Sequence, residues 1–472
     1  MSVLQEISPS VRSIKPLQST PIALRAEQIR EELKQGVKKP FREVIDVAWG
    51  DAQGAGIKPL TFVRQVLAAC LYPQLLDSNR LPTDVKQKAR GLLSECHGGS
   101  MGSYTDLPGI PQVAREISEY IARRDGGDPP KTGNIFISPG SQWALQNILN
   151  LLVHGHGEVR SGVLTPIPCH VTTIESLHSL GGVSVPYYLS EEHGWELQME
   201  ELNRALEYAK QVCAPVALYV VNPGNPPGHV QSKKSIQDVI RFALEKRLFL
   251  LVDEVYQDCV YADNVEFVSY KKVLAEMGPP FSDTVELASF HSASKGFLGE
   301  AGLRGGYVEL VNMDPDVIKY ACTIFSKDTA PTPGQIALSV LANPPRLGDP
   351  SYPLYEMETQ QMQTMIKANV RRVHEVLDSL PGISCQPVEG GAFAFPRVDL
   401  PPKALQKAKE MGMEPDTFYC LRLLEESGAF ITPGCEYGQK EGTYHIRYTL
   451  LNDIMLMEVC AINHILINCR HF

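Results

Sequence analysis

The sequence predicts an α/β protein: a large unit built on a mostly parallel sheet with helices on both faces, and a smaller α+β unit after it. Three observations carry this. From about residue 130 to 310, short β-rich apolar runs alternate with longer amphipathic stretches, the pattern of strands and crossover helices around a parallel sheet. Pro331-Thr332-Pro333-Gly334 and Asn343-Pro344-Pro345 then punctuate the chain. After them, residues 354–385 read as a long charged helix, followed by an apolar run at Gly390-Gly391-Ala392-Phe393-Ala394-Phe395 that reads as a strand.

Taken in order, residues 27–34 and 63–75 carry the apolar spacing of N-terminal helices. The strands are expected at 134–138, 162–165, 217–221, 248–252, 287–290 and 306–310, each ending in polar or glycine-containing residues. In open α/β sheets ligands bind outside the carboxyl ends of the strands, so the chemistry is expected there. The division that follows is an N-terminal arm and part of the small domain over 1–75, a large domain over 76–335, and a C-terminal small domain over 336–472.

Bulk properties narrow the function. At 472 residues, 43% hydrophobic and 21% charged, the chain can bury an extensive core. A formal net charge of -10 argues against nucleic acid or an anionic membrane as the main partner, since both need a basic face. No run of eighteen apolar residues occurs, so no transmembrane helix is expected. Eleven cysteines without a C-x-x-C pair, together with an N-terminus lacking an apolar signal region, point to a reducing compartment. Cytoplasm is the default, and a mitochondrial address stays open.

Ser292-Ala293-Ser294-Lys295-Gly296, followed by Leu303-Arg304-Gly305-Gly306, sets a lysine among hydroxyls with a guanidinium nearby. A lysine that attacks a carbonyl must be partly neutral, which its ordinary pKa of ~10.4 opposes until its surroundings lower it. Ser292, Ser294 and Arg304 have the donors of a phosphate site, so an aldehyde cofactor with a phosphate is one reading. A polar loop with a surface lysine is the other. Pro139-Gly140-Ser141-Gln142 leads from a strand into a helix, where the amides of Gly140, Ser141 and Gln142 face any anion above the strand; a plain turn fits equally. The Pro- and Gly-dense loop Asn222-Pro223-Gly224-Asn225-Pro226-Pro227-Gly228 presents the Asn225 amide rigidly. Asp253 ends a wholly apolar strand, where an acid is costly without a partner, and Tyr256 follows three positions later. A protonated pyridine nitrogen would pair with Asp253; a capping aspartate is the alternative.

These motifs, in this order, resemble those of fold-type I pyridoxal-phosphate aminotransferases, and more narrowly the alanine aminotransferase family. Gln35-Gly36-Val37-Lys38-Lys39-Pro40-Phe41, Arg123-Arg124-Asp125-Gly126-Gly127 and Arg422-Leu423-Leu424-Glu425-Glu426 extend the resemblance over nearly the whole chain. It implies a seven-stranded large-domain sheet, pyridoxal 5'-phosphate held as a Schiff base on Lys295, and transfer of an amino group between L-alanine and 2-oxoglutarate, giving pyruvate and L-glutamate. It also implies that Lys295, once displaced, is the base that moves the proton. Asp253 would anchor the ring nitrogen, with Asn225 and Tyr256 at the ring oxygen. Ser292, Arg304 and the amides around Gly140, Ser141 and Gln142 would hold the phosphate. Tyr104 would reach the phosphate of a neighbouring subunit's site, which makes a homodimer the expected assembly. Arg447, with Asn225, would bind the substrate carboxylate.

The chain departs from the family at several positions. His170 stands where a tyrosine usually stacks on the cofactor ring, so the imidazole stacks there or nothing does. Cys169-His170 are two adjacent ligand types without others, which does not make a metal site. Gln142 replaces a serine, Pro227 a threonine, Ala48-Trp49 an asparagine and a small aliphatic, and residues 16–20 lack the family's aromatic-Ala-Val-Arg-Gly run. These changes keep two alternatives open: a pyridoxal-phosphate lyase or decarboxylase, and a catalytically weakened paralogue with an altered substrate.

Overall fold

The computed structural model describes residues 12, 20–127, 129–154 and 159–451, so residues 16–19 of the divergent arm lie outside the described residues. Seven strands form the central sheet: β1 (Ile135–Ser138), β2 (Ser161–Ile167), β3 (Val183–Tyr188), β4 (Ala214–Val221), β5 (Phe249–Asp253), β6 (Leu287–Ser292) and β7 (Gly306–Val311). Their spatial order is β1-β7-β6-β5-β4-β2-β3. All neighbours pair in parallel except those of β7, which runs antiparallel to both β1 and β6. The sheet is mostly parallel, as the alternating pattern predicts.

Six of the seven strands lie on the expected runs, with ends that differ by no more than three residues. These strands are buried on both faces, which is why they read as continuous apolar stretches. β3 is the strand the pattern does not disclose. It is an edge strand in which only Val185 and Tyr187 are buried, and Ser184 and Pro186 interrupt its apolar run.

The N-terminal helix runs over Pro21–Lys34, six residues earlier than expected, because the Thr20 hydroxyl accepts the Ala23 N–H and Pro21 occupies the first turn. The next spans Thr61–Leu71, and Pro73 turns the remainder of the expected helix into a 3-10 segment, Pro73–Asp77. The long helix is Tyr352–Asp378 and stops before Pro381-Gly382. The expected strand over 390–395 shrinks to Phe393–Ala394, paired with Tyr448 and Thr449. Its glycines are spent on a turn instead: Gly391 sits at φ +80 and donates to Cys259 O.

One apolar cluster joins the two ends of the chain. Ile22, Ala26 and Ile29 pack with Val370, Tyr419, Leu424, Phe430 and Ile446, and the two-residue strand Ile45–Asp46 pairs in parallel with Ala429–Phe430. This brings residues 48–51 over the carboxyl ends of the sheet, beside the strand Ile446–Thr449.

Candidate active site

A cleft of about 540 Å³ lies where those residues meet the strand ends. It is lined by Ser141, Gln142, His170, Asn225, Asp253, Tyr256, Ser292, Lys295, Arg304 and Arg447, ten of the twelve residues that the sequence singles out. Gly140 lies in the turn beside it, and Tyr104 stands apart as an 88% exposed side chain.

The turn after β1 is shaped as an anion cradle. Gly140 has φ +101, and a Cβ there would come within 2.5 Å of Arg304 Nη2. A Cβ on Gly306 would come within 2.5 Å of Ser141 N, so both glycines are needed for the close approach. The helix Ser141–Leu152 has no side-chain cap, which leaves its first N–H groups for a ligand. Arg304, at φ +60, is held by Nη1 to Ala301 O at 2.8 Å and Nη2 to Pro139 O at 3.1 Å. Ser292, at the end of β6, is buried and accepts the Ser294 N–H at 3.3 Å. The Gln142 side chain turns elsewhere. Its amide donates to Thr172 O and Ser176 Oγ and accepts from Thr172 Oγ1, tying two helices together, so only its backbone can contribute to the cradle.

Asp253 ends β5 with both oxygens engaged, Oδ1 by Val255 N–H at 3.2 Å and Oδ2 by the Tyr219 hydroxyl at 3.0 Å. Burial pushes its pKa up, against the opposing pull of those hydrogen bonds. Near it, Asn225 Oδ1 and the Tyr256 hydroxyl are buried without a hydrogen-bond partner. Such atoms are costly unless a bound group completes them.

Lys295 Nζ lies 3.5 Å from Gly50 O and 5.8 Å from the Tyr256 ring centroid. Burial, then the Arg447 charge, depresses its pKa, which favours the neutral nucleophilic amine. Arg447 donates to Ala48 O at 2.7 Å, keeps a buried Nε without a partner, and lies 3.9 Å from the Phe393 ring centroid and 4.4 Å from that of Tyr437. His170 caps the helix Val171–Ser179, its Nδ1 accepting the Thr172 N–H. Burial, then Arg447 and Lys295, pulls its pKa down to about 4, so the ring is neutral.

Sequence reasoning missed Tyr219, Phe393 and Tyr437 as contacts of the site residues. Trp49, which the sequence flags as a departure, lines the cleft 67% exposed; Tyr219 and Phe393 stand in apolar runs and read as core, and Tyr437 stands in a polar, glycine-flanked turn that gives no signal.

The donor set fits pyridoxal phosphate. The glycine-lined cradle matches a phosphate, Asp253 a ring nitrogen, and the unpartnered Asn225 and Tyr256 atoms a ring oxygen. Residues 71–462 match the family described as aminotransferase class I and II. The chain is 49% identical over 449 residues to alanine aminotransferase 1 of Homo sapiens, covering 95% of this chain and 90% of that protein. It is 48% identical to alanine aminotransferase 2 of Xenopus tropicalis, covering 95% and 86%, and 39% identical to glutamate--glyoxylate aminotransferase 1 of Arabidopsis thaliana, covering 91% and 88%. Among solved structures, an alanine aminotransferase from Pyrococcus furiosus superposes with a TM-score of 0.75 at 19% identity over 98% of this chain and all of that one, which shows the shared fold. The chain belongs to the class I and II aminotransferases, within their alanine aminotransferase branch, and is a pyridoxal-phosphate-dependent enzyme.

Proposed function

We propose that this enzyme moves an amino group between L-alanine and 2-oxoglutarate, giving pyruvate and L-glutamate, with Lys295, Asp253 and Arg447 as its principal groups. The observation that carries this is the placement of Arg447 and the depressed-pKa Lys295 on one cleft. Pyridoxal phosphate, when bound, supplies the aldehyde that receives the amino group and the ring that accepts the electrons of the substrate carbanion.

The chain's own residues do the rest. Arg447 grips the α-carboxylate of either substrate, its planar fork matching the two oxygens, while Ala48 O and the Phe393 and Tyr437 rings fix its direction. The Lys295 amine, held at Gly50 O and favoured in its neutral form, would be the base that takes the proton from the substrate α-carbon. Asp253, steadied by Tyr219, would pair with the protonated ring nitrogen. Ser292, Arg304 and the Ser141 amide would hold the phosphate. His170 lines the same cleft as a neutral imidazole.

The exposed Tyr104 supports a homodimer in which it reaches the phosphate of a second copy. The free thiols of the described cysteines fit a reducing compartment such as the cytosol. Among the described residues, no helix is long and apolar enough to cross a membrane.

The test is a half-reaction. Holoenzyme mixed with L-alanine alone should release pyruvate up to one equivalent per chain, and 2-oxoglutarate added afterwards should yield glutamate in the same amount. Release of carbon dioxide, or no pyruvate, would overturn the assignment.

A further inference from the structure

The segment of residues 47–50 fixes where the side chain of a substrate must go. Its backbone is pinned: Val47 O accepts the Thr449 N–H at 3.0 Å, and Asp46 Oδ1 accepts the N–H groups of Ala48 and Trp49 at 3.0 and 3.4 Å. Ala48 O receives Arg447 Nη2 at 2.7 Å, and Gly50 O stands 3.5 Å from Lys295 Nζ. The carboxylate clamp and the reacting amine therefore bracket residue 49. A substrate with its carboxylate on Arg447 and its α-carbon in reach of Lys295 spans Ala48 to Gly50, which sets its side chain beside Trp49.

The wall at that point is aromatic and carries no free cation. The Trp49 indole lines the cleft and is 67% exposed, an apolar ring open to water in a site made to be filled. His170, neutral because burial pulls its pKa down to about 4, lines the same cleft. Among the described residues of this lining, the cations are Lys295, Arg304 and Arg447, and each already has a task as base, phosphate ligand or carboxylate clamp. The charged group left over is the Asp51 carboxylate, which repels a second carboxylate and tolerates a neutral side chain. A methyl group covers little of an indole, whereas a flat ring covers a whole face of it.

We propose that Trp49 gives this enzyme a further activity, the transamination of L-amino acids with a flat aromatic side chain, whose ring lies against the indole. This rests on the transaminase reading and names a second class of amino donor for the same site. The transfer balances as it does for alanine. The bond from the α-carbon to nitrogen breaks, water supplies the oxygen of the aromatic 2-oxo acid, and the nitrogen passes by way of the cofactor to 2-oxoglutarate, whose oxo oxygen leaves as water.

L-Phenylalanine is the probe. Mixed alone with the holoenzyme it should release phenylpyruvate up to one equivalent per chain, and 2-oxoglutarate added afterwards should yield glutamate in the same amount. Trp49→Leu should lower kcat/KM for L-phenylalanine at least about fivefold relative to that for L-alanine, and Trp49→Phe should restore most of that ratio. A second readout needs no turnover. 3-Phenylpropionate has the carboxylate and the ring but no amine, so calorimetry on the holoenzyme should give it a Kd at least about fivefold below that of propionate, a preference that Trp49→Leu should largely erase. Pyruvate from L-alanine without phenylpyruvate from L-phenylalanine, a phenylalanine-to-alanine ratio unchanged in Trp49→Leu, or equal binding of the two acids would each overturn the inference while leaving the transaminase assignment standing. Release of neither oxo acid would overturn both.

Discussion

Arg447 and Phe393 are in direct contact, the guanidinium carbon 3.9 Å from the ring centroid, although neither residue type nor spacing links them in the chain. The contact depends on Gly50, where a Cβ would come within 2.6 Å of Phe393 Cζ. A cation over a desolvated ring gains about 1–2 kcal/mol, so Phe393→Leu should raise the KM for L-alanine roughly fivefold to thirtyfold with a smaller change in kcat. Steady-state kinetics on both substrates checks this; an effect confined to kcat would mean that Phe393 does not act through Arg447.

Much of the cofactor framework is legible because each of its residues follows an apolar run that can only be a buried strand: Asp253 after 248–252, Lys295 after 287–290, Ser141 after 134–138. What is not legible depends on contacts across the fold. Tyr219 and Phe393 look like core aromatics until the sheet sets Tyr219 beside Asp253 and the C-terminal strand sets Phe393 beside Arg447. Gln142 looks like a phosphate ligand until Thr172 and Ser176, about thirty residues on, claim its amide. β3 is hidden because, at the sheet edge, only Val185 and Tyr187 need be buried and no continuous apolar run is required.

The Tyr219 hydroxyl donates to Asp253 at 3.0 Å. A hydrogen bond to a charged acceptor is worth about 1.5–3 kcal/mol, so Tyr219→Phe should lower kcat by about tenfold or more with little change in KM. Asp253→Asn should cost far more, and should also weaken cofactor retention on dialysis. Equal kcat in Tyr219→Phe and the parent enzyme would show that the bond does not tune Asp253.

Gly140 sits at φ +101 against Arg304. Gly140→Ala strains the backbone and displaces the guanidinium, so the cofactor dissociation constant should rise at least about tenfold. Equilibrium dialysis reads that constant directly, and unchanged retention would remove the turn from the cradle.

Lys295 has a pKa held below its usual 10.5 by burial and Arg447. In the cofactor-free protein the unfolded chain therefore binds a proton that the folded chain resists, and stability should rise as pH approaches 10.5. Lys295→Ala should flatten that rise in denaturant titrations, and should also abolish the visible absorption of the lysine-bound cofactor. A pH slope identical in the two proteins would place the amine in ordinary solvent.

His229 is buried with its pKa lowered to about 4, by desolvation alone. The folded state keeps it neutral while the unfolded state protonates it below 6.5. The stability it supports is thus present above 6.5 and lost as pH falls toward 4, at about 1.4 kcal/mol per pH unit at most. His229→Gln should make the acid limb of stability shallower. The neutral His170 predicts a kinetic counterpart: His170→Phe should leave the position of the acid limb of kcat/KM where it is in the parent, whatever it does to the rate.

The bond from Arg447 to Ala48 O spans 399 positions. On a ribosome the two partners emerge at opposite ends of translation, so a nascent chain that already holds the strand ends and Lys295 still lacks its carboxylate clamp. The carboxylate clamp is thereby among the last parts of the site to be assembled during biosynthesis.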